Sequence, residues 1–290
     1  MLYIVTPTYN RAKELCILYK TLKSQTCLDF KWLVVDDGST DETPLLIAKF
    51  QEDSCVAIDY LKKDNGGKHT AYNLALDYMS KNDCHIVVDS DDWLAMDAVE
   101  KILQDLEKTS NKEIGIVYPR YGRDSSPQWL SDNVKYVSIP DIKLKYGLSI
   151  ETAIVIKNLF IGQLRLPSFE GEKFLSEEIF YIRLSEFGKF LPLNRRIYFF
   201  EYLEHGLTNN LFHLWKKNPK STYLLFKERK KYILQNLSGF NRIVELFKVS
   251  LNEQALSLAT SKNENIPQEL SVGERMLKPL AYLFYLKRYK

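Results

Sequence analysis

Five carboxylates stand in two short clusters in the first third of the chain: Asp36 and Asp37 in VVDDGSTD, and Asp89, Asp91 and Asp92 in VVDSDDWL. Each cluster directly follows a short apolar run that reads as a buried strand, and the first such run ends in TPTYN. Open α/β sheets bind ligands in the crevice beyond the carboxyl ends of their strands. The five carboxylates are therefore expected to face one crevice. Like charges held this close are unfavourable unless a cation or hydrogen-bond donors offset them. Hard divalent ions prefer oxygen ligands and commonly share them with substrate phosphates. The chemistry expected is that of a metal–phosphate complex. An Asp after a strand is also an ordinary turn former or helix cap, but DDGS coincides with DSDD at a second strand end, which favours the metal. Further along, His205 and His213 follow the last strand of the body, where an imidazole either completes a metal site or is simply structural.

The elements that must position these residues alternate. Strand patterns at Leu2–Val5, Phe30–Val35, Val56–Leu61, His85–Val88 and Ile114–Tyr118 are separated by helical ones. Those helices are expected over Arg11–Ser24, behind Pro44, from about Thr70 to Ser80 and from about Met96 to Lys108. Such alternation is the signature of a mostly parallel sheet with helices on both faces. After Tyr118 it loosens: Asp124–Ser138 reads as loop, Thr152–Ile156 and Arg196–Tyr202 as strands, and Glu177 to Phe187 as a helix. Residues 211–290 read as helical, interrupted by a polar linker at Ser261–Gln268.

Composition excludes several classes. With 290 residues, 45% hydrophobic and 27% charged, the chain is neither disordered nor collagen-like. Its net charge of +3 conceals an asymmetry: residues 211–290 hold 15 Lys and Arg against 6 Asp and Glu, a net of +9, so residues 1–210 carry −6. No nucleic-acid motif accompanies the basic part, and nucleic acid is not an expected partner. Its many aromatics fit three roles: contact with an anionic membrane surface, packing on the body, or homodimerisation. Cys16, Cys27, Cys55 and Cys84 show no CxxC spacing. With no signal-peptide pattern and no apolar run long enough to span a bilayer, the expectation is a cytoplasmic protein with reduced thiols, at most peripheral at the inner face of the plasma membrane.

The ordered set TPTYNR, VVDDGSTDET, NGGKHTAYNLAL and VVDSDDWL, complete within the first 94 residues, resembles the inverting family 2 glycosyltransferases of the GT-A fold. A weaker likeness runs through EYLEHGLTNN to about Asn210. The resemblance implies a GT-A domain over 1–210, with a nucleotide-sugar-binding half at 1–118 and an acceptor-side half at 119–210, followed by the helical extension 211–290. It implies transfer of a sugar from a nucleotide-sugar donor to a glycan or lipid-linked glycan hydroxyl in bacterial surface glycan assembly. Carried onto this chain, Thr6, Pro7 and Tyr9 would hold the nucleobase, and Asp37 would accept from a uracil-type N–H, favouring UDP. Asp89-Ser90-Asp91 would be the DxD element, with Asp89 nearer the ribose and Asp91 on an Mn²⁺ or Mg²⁺ ion. Asp92 would be a second metal contact or a helix cap, Lys68 would neutralise diphosphate charge, and His205 would join the metal. Family members place a basic carboxylate some six residues before Arg-Leu, which here is Glu177, with Glu178 in reserve. A nucleotidyltransferase or a non-catalytic nucleotide-binding protein is the alternative. The former usually carries a glycine-rich basic loop after strand one, and TPTYNR has no glycine.

Overall fold

The run LYIVTPT forms strand β1 (Leu2–Thr8), every residue of which is buried, as expected of a central strand covered on both faces. It lies at the centre of the computed structural model, which describes residues 1–122, 126–162, 164–201, 210–260 and 277–290. Two compact units divide the chain: Met1–Leu166 with Arg183–Tyr202, and Pro167–Ile182 with Leu203–Lys290.

In the first unit β1 pairs in parallel with β2 (Lys31–Asp36), which pairs in parallel with β3 (Ala57–Lys62). On its other side β1 pairs in parallel with β4 (Cys84–Val87). The chain thus moves outward through β2 and β3 and returns across β1, which makes the β1/β4 boundary the switch point where such sheets open a crevice. Beyond the two-residue β5 (Trp93–Leu94) come β6 (Glu113–Pro119), β7 (Tyr121–Gly122), β8 (Thr152–Lys157), β9 (Lys189–Pro192) and β10 (Tyr198–Phe200). The large sheet runs β3-β2-β1-β4-β8-β6-β9, with β8 antiparallel to both neighbours and the other pairings parallel. Only glycine fits at 115 in β6, since a Cβ there would stand 1.9 Å from the Val155 carbonyl oxygen.

Helices α1 (Ala12–Lys23), α2 (Thr43–Asp53), α3 (Lys68–Tyr78) and α4 (Ala98–Glu107) follow β1, β2, β3 and β5. α1 buries Leu15, Leu18, Tyr19 and Leu22, one face at helical spacing. Tyr19 stacks on Phe50 and Trp32 at 3.9 and 5.9 Å between ring centroids, and the buried Trp32 indole donates to Thr6 Oγ1 at 2.9 Å. A second, three-stranded sheet has the order β5-β10-β7. β10 lies within the strand expected over Arg196–Tyr202, whereas β5 and β7, two residues each, are too short to show in a hydrophobic pattern. The short α5 (Ile139–Leu144) was likewise unforeseen, lying just beyond the loop expected over 124–138.

The second unit is helical: α7 (Leu211–Lys217), α8 (Pro219–Asn236), α9 (Gly239–Thr260) and a last described helix, Lys278–Arg288. α6 (Glu178–Leu184) carries the division between the units within its length. Pro167–Ile182 groups with the helices because its polar groups end there. The Glu172 carboxylate accepts from the Lys220 and Ser221 backbone N–H groups at 2.8 Å each, capping α8. Asn218 Oδ1 accepts from the Lys173 and Phe174 N–H groups. The linker expected at Ser261–Gln268 lies outside the described residues. All four cysteines are free, and among the described residues no helix is long and apolar enough to cross a membrane.

Candidate active site

The turn after β2 and the loop before α3 are locked together. Asp37, 4% exposed, accepts from Lys63 Nζ at 2.7 Å and Gly66 N–H at 2.9 Å on Oδ1, and from Gly67 N–H at 2.7 Å on Oδ2. Gly38 has a φ of +84°, and a Cβ there would meet the Asn65 backbone nitrogen at 2.9 Å, so the close approach of turn and loop requires glycine. Asn10, at a φ of 52° that Asn tolerates better than most residues, accepts from the Thr40 and Asp41 N–H groups and ties TYN to the same turn. Asp37 thereby anchors the NGGK loop. Asp36 does not face the crevice at all: it is fully buried, accepting from Ser39 N–H at 2.7 Å and Tyr60 Oη at 2.6 Å. Thr6 and Pro7 are both buried within β1, and the Thr6 hydroxyl accepts from the Trp32 indole. Tyr9, 47% exposed, is the member of that trio on the surface.

The DSDD segment follows β4 at the switch point. Asp89 Oδ1 pairs with Lys68 Nζ at 2.5 Å, and Arg120 Nη1 lies 3.3 Å from both Asp89 Oδ2 and Asp92 Oδ2. Tyr198 Oη donates to Asp92 Oδ2 at 2.7 Å and accepts the Asp89 backbone N–H at 3.1 Å. The Arg120 guanidinium lies over the Tyr198 ring, 4.2 Å from its centroid. The small sheet builds this arrangement: Arg120 immediately precedes β7, Tyr198 opens β10, and β10 pairs with both β7 and β5. Burial opposes the charged form of Asp89, but the Lys68 and Arg120 cations outweigh it and hold its carboxyl well below the usual range. Burial, and then the Asp89 charge, push Asp92 up to about 7, with Arg120 acting the other way.

Asp91 differs from both. It is half-buried, and its side chain has no hydrogen bond or ion pair among the described residues. Ser90 beside it is 7% exposed. No three His, Cys, Asp or Glu side chains form a metal-holding group among the described residues. The donor set thus does not fit an ion caged by protein. It does fit Mg²⁺ or Mn²⁺ held by one carboxylate together with substrate phosphates and water. Asp92 is committed to Arg120 and Tyr198, and it caps no helix, because α4 starts after Asp97. The helix-cap role expected for Asp92 is thereby displaced, and both of its contacts fall on Oδ2.

The model of "Glycosyl transferase family 2" matches residues 3–163, more than half of the chain. The chain belongs to glycosyl transferase family 2. Chondroitin synthase of Pasteurella multocida is 27% identical over 261 residues, covering 87% of this chain. The chain spans 26% of that synthase's length and 20% of the Streptococcus pneumoniae glycosyltransferase GlyA, 30% identical over 142 residues. Among solved structures, Staphylococcus aureus TarS (residues 1–349) in complex with UDP-GlcNAc superposes with a TM-score of 0.62 at 16% identity, covering 100% of this chain and 81% of that one. The mannosyltransferase PcManGT of Pyrobaculum calidifontis, in complex with GDP-Man and Mn²⁺, gives 0.57 at 15% identity, covering 98% and 86%. These likenesses show the fold, the mixed and mostly parallel GT-A sheet flanked by helices.

Within this family 2 chain, the two carboxylates expected to act as base belong to the second unit. Glu178 is held in a two-point ion pair by Arg229, whose Nε donates to Oε1 at 2.6 Å and whose Nη2 donates to Oε2. The Glu177 carbonyl accepts the Phe180 and Tyr181 N–H groups in the first turn of α6. His205 lies outside the described residues. His85 is a core residue, with Nδ1 2.6 Å from Asn158 Oδ1 and Nε2 2.7 Å from Tyr72 Oη. Sequence reasoning missed Arg120, Tyr198 and Lys63. Arg120 had a usable signal, because it directly follows a strand parallel to β1, at the same end of the sheet as the carboxylates. Tyr198 had none.

Proposed function

We propose that the protein transfers a single sugar from a nucleotide-sugar donor, of the UDP type, to a hydroxyl of a glycan or lipid-linked glycan, with inversion. The observation that carries this reading is the division within DSDD: Asp89 and Asp92 are matched by Lys68, Arg120 and Tyr198, while Asp91 alone is left for an exogenous cation. The UDP preference draws on TarS, whose crystal structures include complexes with UDP-GlcNAc and with UDP. The glycan acceptor draws on relatives such as the poly(ribitol-phosphate) beta-N-acetylglucosaminyltransferase of Staphylococcus aureus, 31% identical over 93 residues. Residues 1–118 would serve the donor and 119–210 the acceptor, in a reducing compartment such as the cytoplasm, with which four free thiols agree.

In this reading Tyr9 packs on the nucleobase, and the Asp37-anchored loop presents the first turn of α3 and Lys68 to the diphosphate. Asp89 orients the ribose side of the donor, and Asp91 holds the divalent ion, Mn²⁺ or Mg²⁺. When bound, that ion stabilises the negative charge gathering on the leaving diphosphate. Glu177 takes the proton from the acceptor hydroxyl as its oxygen bonds to the anomeric carbon. The bond from that carbon to the diphosphate oxygen breaks, and its electron pair departs with the nucleotide. Glu178 is the weaker candidate for this base because Arg229 neutralises it.

Calorimetric titration of UDP- and GDP-sugars with and without Mn²⁺ tests the proposal. One UDP-sugar should bind in a metal-dependent way, and Asp91→Asn should weaken that binding at least about ten-fold, as loss of a charged hydrogen-bonding or metal contact does. Absence of nucleotide binding under every metal condition would defeat it.

A further inference from the structure

The last described helix, Lys278–Arg288, presents the wrong side to solvent for an ordinary surface helix. It buries Ala281. Pro279, Tyr282, Leu283 and Leu286 occupy the opposite side at spacings of three, four and seven residues, and all are exposed, Tyr282 at 50% and Leu283 at 60%. Lys278 and Lys287 rim this apolar strip, Lys290 follows it, and the helix contains no acidic residue. At eleven residues the helix is about 16 Å long, too short to cross a bilayer but suited to lying in its interface.

We propose that this face docks the protein on an anionic lipid bilayer, with Tyr282, Leu283 and Leu286 entering the headgroup–acyl boundary and the lysines reaching lipid phosphates. Charge complementarity selects this occupant: residues 211–290 carry +9, and anionic lipid attracts such a segment while a second copy of it would repel. Docking through this face does not depend on the donor the protein uses.

Co-sedimentation of the full chain tests it, using vesicles of phosphatidylcholine and phosphatidylglycerol in equal parts against phosphatidylcholine alone. Binding should favour the anionic vesicles and fall as salt rises. Leu283→Glu should weaken partitioning at least about ten-fold, and Lys278→Gln and Lys287→Gln about five-fold each, with circular dichroism unchanged. Equal binding to both vesicles, or anionic binding untouched by Leu283→Glu, overturns the proposal. So does a concentration-dependent dimer in lipid-free solution that Leu283→Glu dissolves, which would assign the face to a second copy.

Discussion

Tyr198 donates to Asp92 Oδ2 at 2.7 Å across 106 residues of chain, and the same phenol oxygen accepts the Asp89 backbone N–H. One side chain of the small sheet thus fixes both ends of the DSDD segment around Asp91. Burial, foremost, and the neighbouring carboxylates keep this phenol protonated, so it stays a donor.

Two substitutions separate the scaffold of that segment from its working carboxylate. Arg120→Met leaves Asp92, a nearly buried carboxylate, without its cation and should destabilise the fold by about 3 kcal/mol in urea denaturation. Tyr198→Phe should lose about 1–2 kcal/mol. Asp91→Asn should stay within about 0.5 kcal/mol of the parent, since no described partner is lost. An Arg120→Met protein as stable as the parent would remove the scaffold role.

Glu177 and Glu178 should behave oppositely. Glu177→Gln should reduce turnover by about 10²–10⁴-fold with donor affinity unchanged, the loss expected for a general base. Glu178→Gln should retain turnover within a few-fold and lower stability by about 1 kcal/mol, because its pair with Arg229 is partly solvent-screened. Steady-state kinetics beside nucleotide calorimetry distinguish them. Near-normal turnover in Glu177→Gln transfers the base to another residue.

His85 predicts a pH dependence of stability. Complete burial lowers its pKa to about 4 from the usual 6.5, against a smaller opposing effect of the Asn158 hydrogen bond. Between those values the unfolded chain binds a proton that the folded chain refuses, so this contribution to stability falls as pH drops from 6.5 to 4. Its full extent is about 3 kcal/mol. His85→Gln, which keeps a donor and an acceptor for Tyr72 and Asn158, should show a shallower decline over that window. Equal slopes for the two proteins would refute the assignment.

Much of the first unit was legible in local pattern. The strands flanking TPTYN, DDGSTD and DSDD were expected within a few residues of where they lie, because buried parallel strands are apolar runs whose ends are marked by turn residues. The carboxylate-rich ends of β2 and β4 were located by the same rule. Which carboxylates would be available was not legible. Asp36, Asp37, Asp89, Asp91 and Asp92 look alike in sequence, and only their partners tell them apart. Tyr60 and Ser39 satisfy Asp36, the NGGK loop satisfies Asp37, and Arg120 and Tyr198 satisfy Asp92.

By itself, the sequence determined the sheet type, the family and the end of the sheet where the chemistry gathers, because periodicity and strand-end residues are local properties of the chain. Tertiary structure alone decided that Thr6 is a core hydroxyl, that Asp37 is a loop anchor and that Asp91 stands apart from its neighbours. Those outcomes depend on Trp32, Lys63, Arg120 and Tyr198 arriving from 26 to 106 residues away. Hydrogen bonds and ion pairs act over about 3 Å in space, whatever the distance along the chain, so no window of sequence contains them.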